Sequence, residues 1–386
     1  MRRKVLAAAL VLAILLALAL AVGPGLVEAR LNRVQGAPAA VTPAAAALHR
    51  RLLVADLHCD ALLWGRDPLK RGGRGHVDLP RLREGHVALQ AFTVVTKTPH
   101  GLNVTRNAAD AFDDITALAL LQRWPPATVT SLTARALYQA GRLRDRAARS
   151  EGGLVLLRTR ADVEALLERR AREPRVVGAW LGLEGAHALQ GDLANVDALD
   201  AAGYRMIGLA HFFDNEWAGS AHGVKKGGLT DLGRRLVPEL ERRRILLDLA
   251  HASPAAIDEA LALSRRPVVV SHTGVKGTCD NVRNLSDDQL RRVAATGGVI
   301  GIGFWETAVC GSDERAIAAA IVHAVHVAGP THVGLGSDFD GAVTTPFDAT
   351  GLPRVTQALM NAGLSEADIA RVMGGNVARL LSEGLP

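Results

Sequence analysis

From about Leu48 onward the chain alternates short apolar runs, rich in Val, Ile, Leu and Gly, with longer stretches whose apolar residues recur at helical spacing. The runs that read as strands are Leu53–His58, Val87–Val95, Val176–Leu183, Met206–Ala210, Ile245–Leu249, Val268–Ser271, Gly298–Phe304 and His332–Gly336. Between most of them lie amphipathic segments such as Leu229–Arg243, Pro254–Ser264, Asp287–Ala295 and Asp313–Ala328. Near-continuous apolar strands that alternate with helices predict a parallel sheet covered by helices. Eight such strands in a chain of 386 residues predict an α/β fold of the closed (β/α)8 TIM type. A long insertion after the second strand holds expected helices near Ala108–Arg123 and Leu132–Ser150 and an extra candidate strand, Gly153–Arg158. An open doubly wound sheet is the alternative, but no glycine fingerprint for a dinucleotide follows any strand.

The first residues follow a different pattern. Arg2, Arg3 and Lys4 precede an uncharged run from Val5 to Val22, and Val27-Glu28-Ala29 offers small residues to a signal peptidase. Residues 1–29 therefore read as a cleaved signal peptide or an N-terminal membrane anchor. In both cases the rest of the chain lies outside, periplasmic or extracellular. Residues 30–48 read as an Ala/Pro-rich linker that grades into a helix at Ala44, and residues 49–386 as the barrel domain. The formal charge of +6 does not predict a nucleic-acid partner, because the basic residues are scattered and mostly Arg.

The polar residues change the picture. Expected strand after expected strand ends in a group able to bind metal: His58 and Asp60 in "LHCD", Glu184 in "GLEGAH", His211 in "GLAHFFDN", His251 in "LDLAHAS", His272 in "VVVSHTG", and Asp338 and Asp340 in "GSDFDG". In a (β/α)8 barrel those ends form one rim, where active sites sit. Side chains alternate along a strand, so His58 and Asp60 point the same way and Cys59 turns to the helical layer as a small buried hydrophobe. Nitrogen and oxygen ligands without thiolate suit Zn²⁺, with Mn²⁺ or Co²⁺ as alternatives. So many ligands suit two ions about 3.5–4 Å apart that share a carboxylate.

With these motifs in this order, and with "CDNVRNL" and "MGGNVARLL" beside them, the chain resembles the membrane (renal) dipeptidases of the metal-dependent amidohydrolase superfamily, from about Leu52 to Leu381. The resemblance implies a zinc-dependent dipeptidase with two zinc ions per chain. His58, Asp60 and Glu184 would hold one ion, and Glu184, His251 and His272 the other, with Glu184 bridging. A metal-bridging hydroxide would attack the peptide carbonyl, His211 would contact the carbonyl oxygen, and Asp338 would carry the proton. Arg283 would bind the substrate carboxylate and so limit substrates to dipeptides. Asp340, which its place in the strand puts in the turn before Gly341, is expected to be structural or to support the ligands from behind. The family also has a disulfide at positions matching Cys279 and Cys310, which leaves Cys59 a free thiol. The chain ends in "LLSEGLP" without an apolar tail, so any anchor is expected at the N-terminus. Another binuclear amidohydrolase (a lactonase, a phosphotriesterase-like enzyme or a deaminase) and a non-catalytic binding protein on the same fold are the alternatives. Side-chain and L-D preference and a homodimer stay open.

Overall fold

The computed structural model describes residues 2–37 and 39–386, apart from the side chains of Ala8 and of residues 12–19. Eight parallel strands close into a barrel: β1 Val54–Asp56, β2 Val87–Val95, β3 Val177–Glu184, β4 Tyr204–Gly208, β5 Leu246–Asp248, β6 Val269–Thr273, β7 Val299–Ile302 and β8 Val333–Leu335. Closure is made where β8 returns to β1, with Leu335 opposite Asp56. All nine residues of β2 and all eight of β3 are buried, because the barrel interior takes one face and the helices take the other.

Each expected strand run overlaps one strand of the barrel, with β4 beginning at Tyr204 rather than Met206. The first is shorter than its apolar pattern, but the chain beyond Asp56 stays tied to the eighth: Leu57 N donates to Leu335 O and Asp60 N to Phe339 O, both at 2.9 Å. The extra strand is present as Leu154–Leu156 and pairs with the start of β3 outside the ring. The expected helix Ala108–Arg123 is reduced to Asp114–Leu121. Asp113 stops its N-terminal growth by accepting from Ile115 N at 3.1 Å, while Asn107 is drawn to the His222 carbonyl. The expected helix Leu229–Arg243 starts at Asp231, where Thr230 caps Gly233 N at 3.1 Å.

At the N-terminus a helix runs from Arg2 to Leu31. Among the described residues no helix is long and apolar enough to cross a membrane, and residues 12–19 of the expected export segment lie outside the described side chains. The end of this helix docks on the barrel. Glu28 is buried and pairs with Arg66 at 2.5 Å and Arg74 at 2.7 Å, and Arg33–Val34 adds to a two-stranded sheet with Thr344–Thr345. Within the stretch read as a linker, helix Pro43–Arg51 starts from a Thr42 cap and buries Leu48 and His49.

His49 ties that helix to the barrel through Thr356 Oγ1 at 2.8 Å and Gly85 O at 3.1 Å. Burial lowers its pKa from 6.5 to about 4. The folded state therefore favours neutral His49, and the unfolded state binds the extra proton between those values. Its contribution of about 3 kcal/mol is present above pH 6.5 and is lost as pH falls through 4. Urea unfolding at a series of pH values should show a shallower acid loss in His49→Gln than in the parent. Parallel curves would remove His49 from the account.

Candidate metal centre and active site

The rim gathers its polar groups from six strands. His58 lies just past β1, and Asp60 follows at the start of a short 3-10 turn, Ala61–Leu63. Glu184 is the last residue of β3, and His272 lies within β6. His211, His251 and Asp338 lie just past β4, β5 and β8. His251 and Asp338 both adopt φ of 61°, the left-handed region that non-glycine residues avoid. Such strain persists where surrounding structure imposes it, and here it turns both side chains into the barrel mouth.

Glu184 is the centre. Its Oε1 lies 3.0 Å from His251 Nε2, 3.4 Å from His272 Nε2 and 3.5 Å from His58 Nε2, while Oε2 lies 3.3 Å from His211 Nε2. His58 Nε2 is also 3.5 Å from Asp60 Oδ2 and 3.8 Å from Asp338 Oδ1. All of these residues are buried. Their ligand atoms form three mutually close groups: His58, Asp60 and Glu184; Glu184, His211 and His251; and His58, His272 and Asp338. All five residues expected to hold metal thus converge, and His211 and Asp338 join them.

These residues fit a cation. His58 Nε2 is buried with no hydrogen-bond partner. His251 Nε2 and His272 Nε2 face each other at 2.8 Å, beside the same carboxylate oxygen. Burial, with Arg283 and the neighbouring imidazoles, pushes both of these histidines well below their usual range, so they are neutral and able to ligate. Burial also drives the Glu184 carboxyl well above its usual range, with Asp60 adding to the rise. Burial opposes the charge on His58, yet Asp60 and Glu184 outweigh it and hold the imidazolium up to about 10. Carboxylates that draw a proton this strongly offer the same field to a metal ion.

Arg283, in the loop after β6, is buried and donates from Nη2 to the His272 carbonyl at 2.5 Å; its Nε has no partner. Burial lowers its pKa to about 10, against the pull of Asp338 and Glu184. Its loop is cross-linked by the Cys279–Cys310 disulfide, with a Cα separation of 5.3 Å, and Cys59 is free and buried. Burial raises the Asp338 carboxyl to about 8, against the pull of His58. Asp340 stands apart, accepting from His76 N at 2.7 Å and Val77 N at 3.2 Å and pairing with Arg66.

Sequence reasoning named the convergent groups but not those that aim them. Thr93 Oγ1 donates to Asp60 Oδ1 at 2.6 Å. Ser220 Oγ donates to the His211 carbonyl, and Ala221 N donates to the His251 carbonyl at 2.8 Å. His222 donates from Nδ1 to Val104 O at 2.6 Å and sits 5.0 Å, ring to ring, from His251. His222 carried a signal in the histidine of "SAHG", but only the folded loop brings it to the rim.

A family model described as membrane dipeptidase (peptidase family M19) matches residues 43–384. An uncharacterized dipeptidase of Schizosaccharomyces pombe is 34% identical over 214 residues, which are 53% of this chain and 52% of that protein. The matched part thus spans about half the length of this curated relative. Among solved structures, a metallo peptidase named dipeptidase AC is 28% identical with a TM-score of 0.70, covering 86% of this chain and 98% of its own. A metallo peptidase from Rhodobacter sphaeroides, liganded with a phosphinate mimic of the dipeptide L-Ala-D-Ala, is 27% identical with a TM-score of 0.69, covering 86% of this chain and 99% of its own. Because the family match runs through every strand of the barrel and every residue of the rim, the chain belongs to the membrane dipeptidase family, peptidase family M19.

Proposed function

We propose that this chain is a metallo-dipeptidase that hydrolyses the peptide bond of dipeptides at a centre of two zinc ions. The observation that carries the reading is the position of Glu184, one carboxylate in contact with His58, His251, His272 and His211. His58, Asp60 and Glu184 would hold one ion, and Glu184, His251 and His272 the other. When bound, the ions supply the acidity that ionises water near neutral pH and the Lewis acidity that polarises a carbonyl.

His211 stands outside this ligand set, its Nε2 3.3 Å from Glu184 Oε2, and from that edge of the centre it would donate to the substrate carbonyl oxygen. Asp338, buried at the rim with Oδ1 3.8 Å from His58 Nε2, would take the proton that the attacking water gives up and pass it to the leaving amine. Arg283 brings a buried guanidinium with an unpartnered Nε, suited to the C-terminal carboxylate. A carboxylate read one residue beyond the scissile bond excludes longer peptides. The ligand of the Rhodobacter sphaeroides relative, a mimic of L-Ala-D-Ala, supports acceptance of a D-residue at the second position. We also place the barrel outside the cytoplasm, held at the membrane by an uncleaved N-terminal helix. Cleavage after Ala29 would remove Glu28 from Arg66 and Arg74, which favours an anchor over a signal peptide.

After zinc reconstitution, elemental analysis should find about two ions per chain; one or none would end the two-metal reading. Asp338→Asn should keep both ions and lose most dipeptide hydrolysis, and a variant near the parent rate would remove Asp338 as proton carrier. Arg283→Ala should lower kcat/KM for dipeptides roughly tenfold to a hundredfold, as expected for a lost charge-assisted bond. The parent should reject dipeptide amides by a similar factor, and the variant should largely lose that discrimination. If Arg283→Ala still prefers the free acid as strongly as the parent, another group reads the carboxylate.

A further inference from the structure

β6 is irregular where it carries His272. Its register against β7 shifts between Val270 and Thr273, so Ser271 and His272 do not simply point to opposite faces as consecutive strand residues do. The consequence is a three-way contact. Ser271 Oγ lies 3.0 Å from His272 Nδ1 and 3.1 Å from His58 Nδ1, and the two imidazoles pack at 3.7 Å between ring centroids. Ser271 is fully buried. Its amide donates to Asp248 Oδ1 at 2.9 Å. Its carbonyl is pressed by two glycines, since a Cβ at Gly301 or Gly336 would come within 2.2 Å or 2.0 Å of it. The backbone of Ser271 is therefore held in place beneath the rings.

We infer that Ser271 is a shared positioning residue that sets the tautomer of one ligand histidine for each of the two metal ions. The inference rests on the metal-centre reading proposed above. Both Nε2 atoms face Glu184, so both must present a bare lone pair there to ligate. Each ring then carries its proton on Nδ1. A serine oxygen accepts two hydrogen bonds, and Ser271 offers one lone pair to each Nδ1–H. Groups that hold the far nitrogen of a ligating histidine commonly govern metal affinity about 10- to 100-fold. Here one hydroxyl does so for His58 and His272 together, so its loss must weaken both ions, whereas a partner of a single imidazole would weaken one.

Ser271→Ala removes one oxygen and tests this directly. In the parent, competition with a chromophoric chelator should return two zinc affinities, and the ¹¹³Cd-substituted protein should give two cadmium resonances. In Ser271→Ala both affinities should fall about 10- to 100-fold and both resonances should move. A fall at one ion only, or at neither, overturns the inference while the metal reading survives. A parent chain that binds fewer than two ions overturns the metal reading and the inference with it. A second measurement needs no variant: in the zinc-loaded, ¹⁵N-histidine-labelled parent, His58 and His272 should both be protonated at Nδ1, and a bare Nδ1 on either ring overturns the assignment.

Discussion

The rim is organised by a conflict of burial. Glu184, Asp60 and Asp338 are carboxylates removed from water, and His58, His251 and His272 turn ring nitrogens toward the first of them. A buried carboxylate without a compensating charge is costly, and neutral imidazoles offer lone pairs rather than charge. The competing adjustments are visible in the directions of the shifts. Burial raises Glu184 and Asp338, and His58 is held protonated by its acidic neighbours against burial. A centre whose acids are offset by a proton on His58 and by the nearby Arg283 guanidinium is poised to exchange that proton for a metal ion, and the exchange relieves the acids and uses the bare imidazoles at once.

The fold supplies the force that holds this arrangement. Beneath the rim, two further buried carboxylates act as brackets between strands. Asp56, at the end of β1, accepts from Gln90 Nε2 at 2.8 Å, Ser337 N at 2.8 Å and Ser337 Oγ at 2.7 Å, and so pins the turn that carries Asp338. Asp248, at the end of β5, accepts from Ala250 N at 3.0 Å and Ser271 N at 2.9 Å, which fixes the approaches to His251 and His272 together. The left-handed backbone at His251 and Asp338 lies directly after these brackets. Backbone strain at the site is thus offset by hydrogen bonds one layer down, inside the packed barrel.

The convergent rim groups were legible because the barrel enforces two simple periodicities: strands recur along the chain, and each strand ends at the same rim. A histidine or acid just past an apolar run is therefore informative at His58, Glu184, His211, His251, His272 and Asp338 alike. The insertion was less legible, since its polar contacts are irregular. Apolar spacing ran the helix from Ala108 to Arg123, whereas Asp113 and Asn107 spend their side chains on caps and turns that the spacing does not register. The N-terminal region shows the same limit. Glu28 reads as a lone acid in an export segment, and only the fold reveals the two arginines that bury it. Ser271 was hidden by the period-two rule itself: next to His272 in a regular strand it would face away, and the register shift brings it back.

The position of Arg283 ties its guanidinium to the strand that carries His272. Its Nη2 is held by the carbonyl of His272, whose ring faces Glu184. Its loop is closed by a disulfide to the segment after β7, and Asn284 ties the same loop to Gly274 N at 3.0 Å and Ala308 O at 2.9 Å. The distance from guanidinium to metal centre is therefore set by one residue of β6 and a cross-linked loop, with little slack on either side. In a dipeptide the distance from scissile carbonyl to terminal carboxylate is set by one residue of covalent structure. In the proposed role of Arg283, matching two such fixed lengths would select chain length before any side chain is read, because a tripeptide in the same register would drive another residue into the guanidinium. Stereochemistry at the second residue changes where its side chain points but leaves that span nearly unchanged. If Arg283 reads that carboxylate as proposed, the ruler that demands a dipeptide would tolerate a D-residue at its far end.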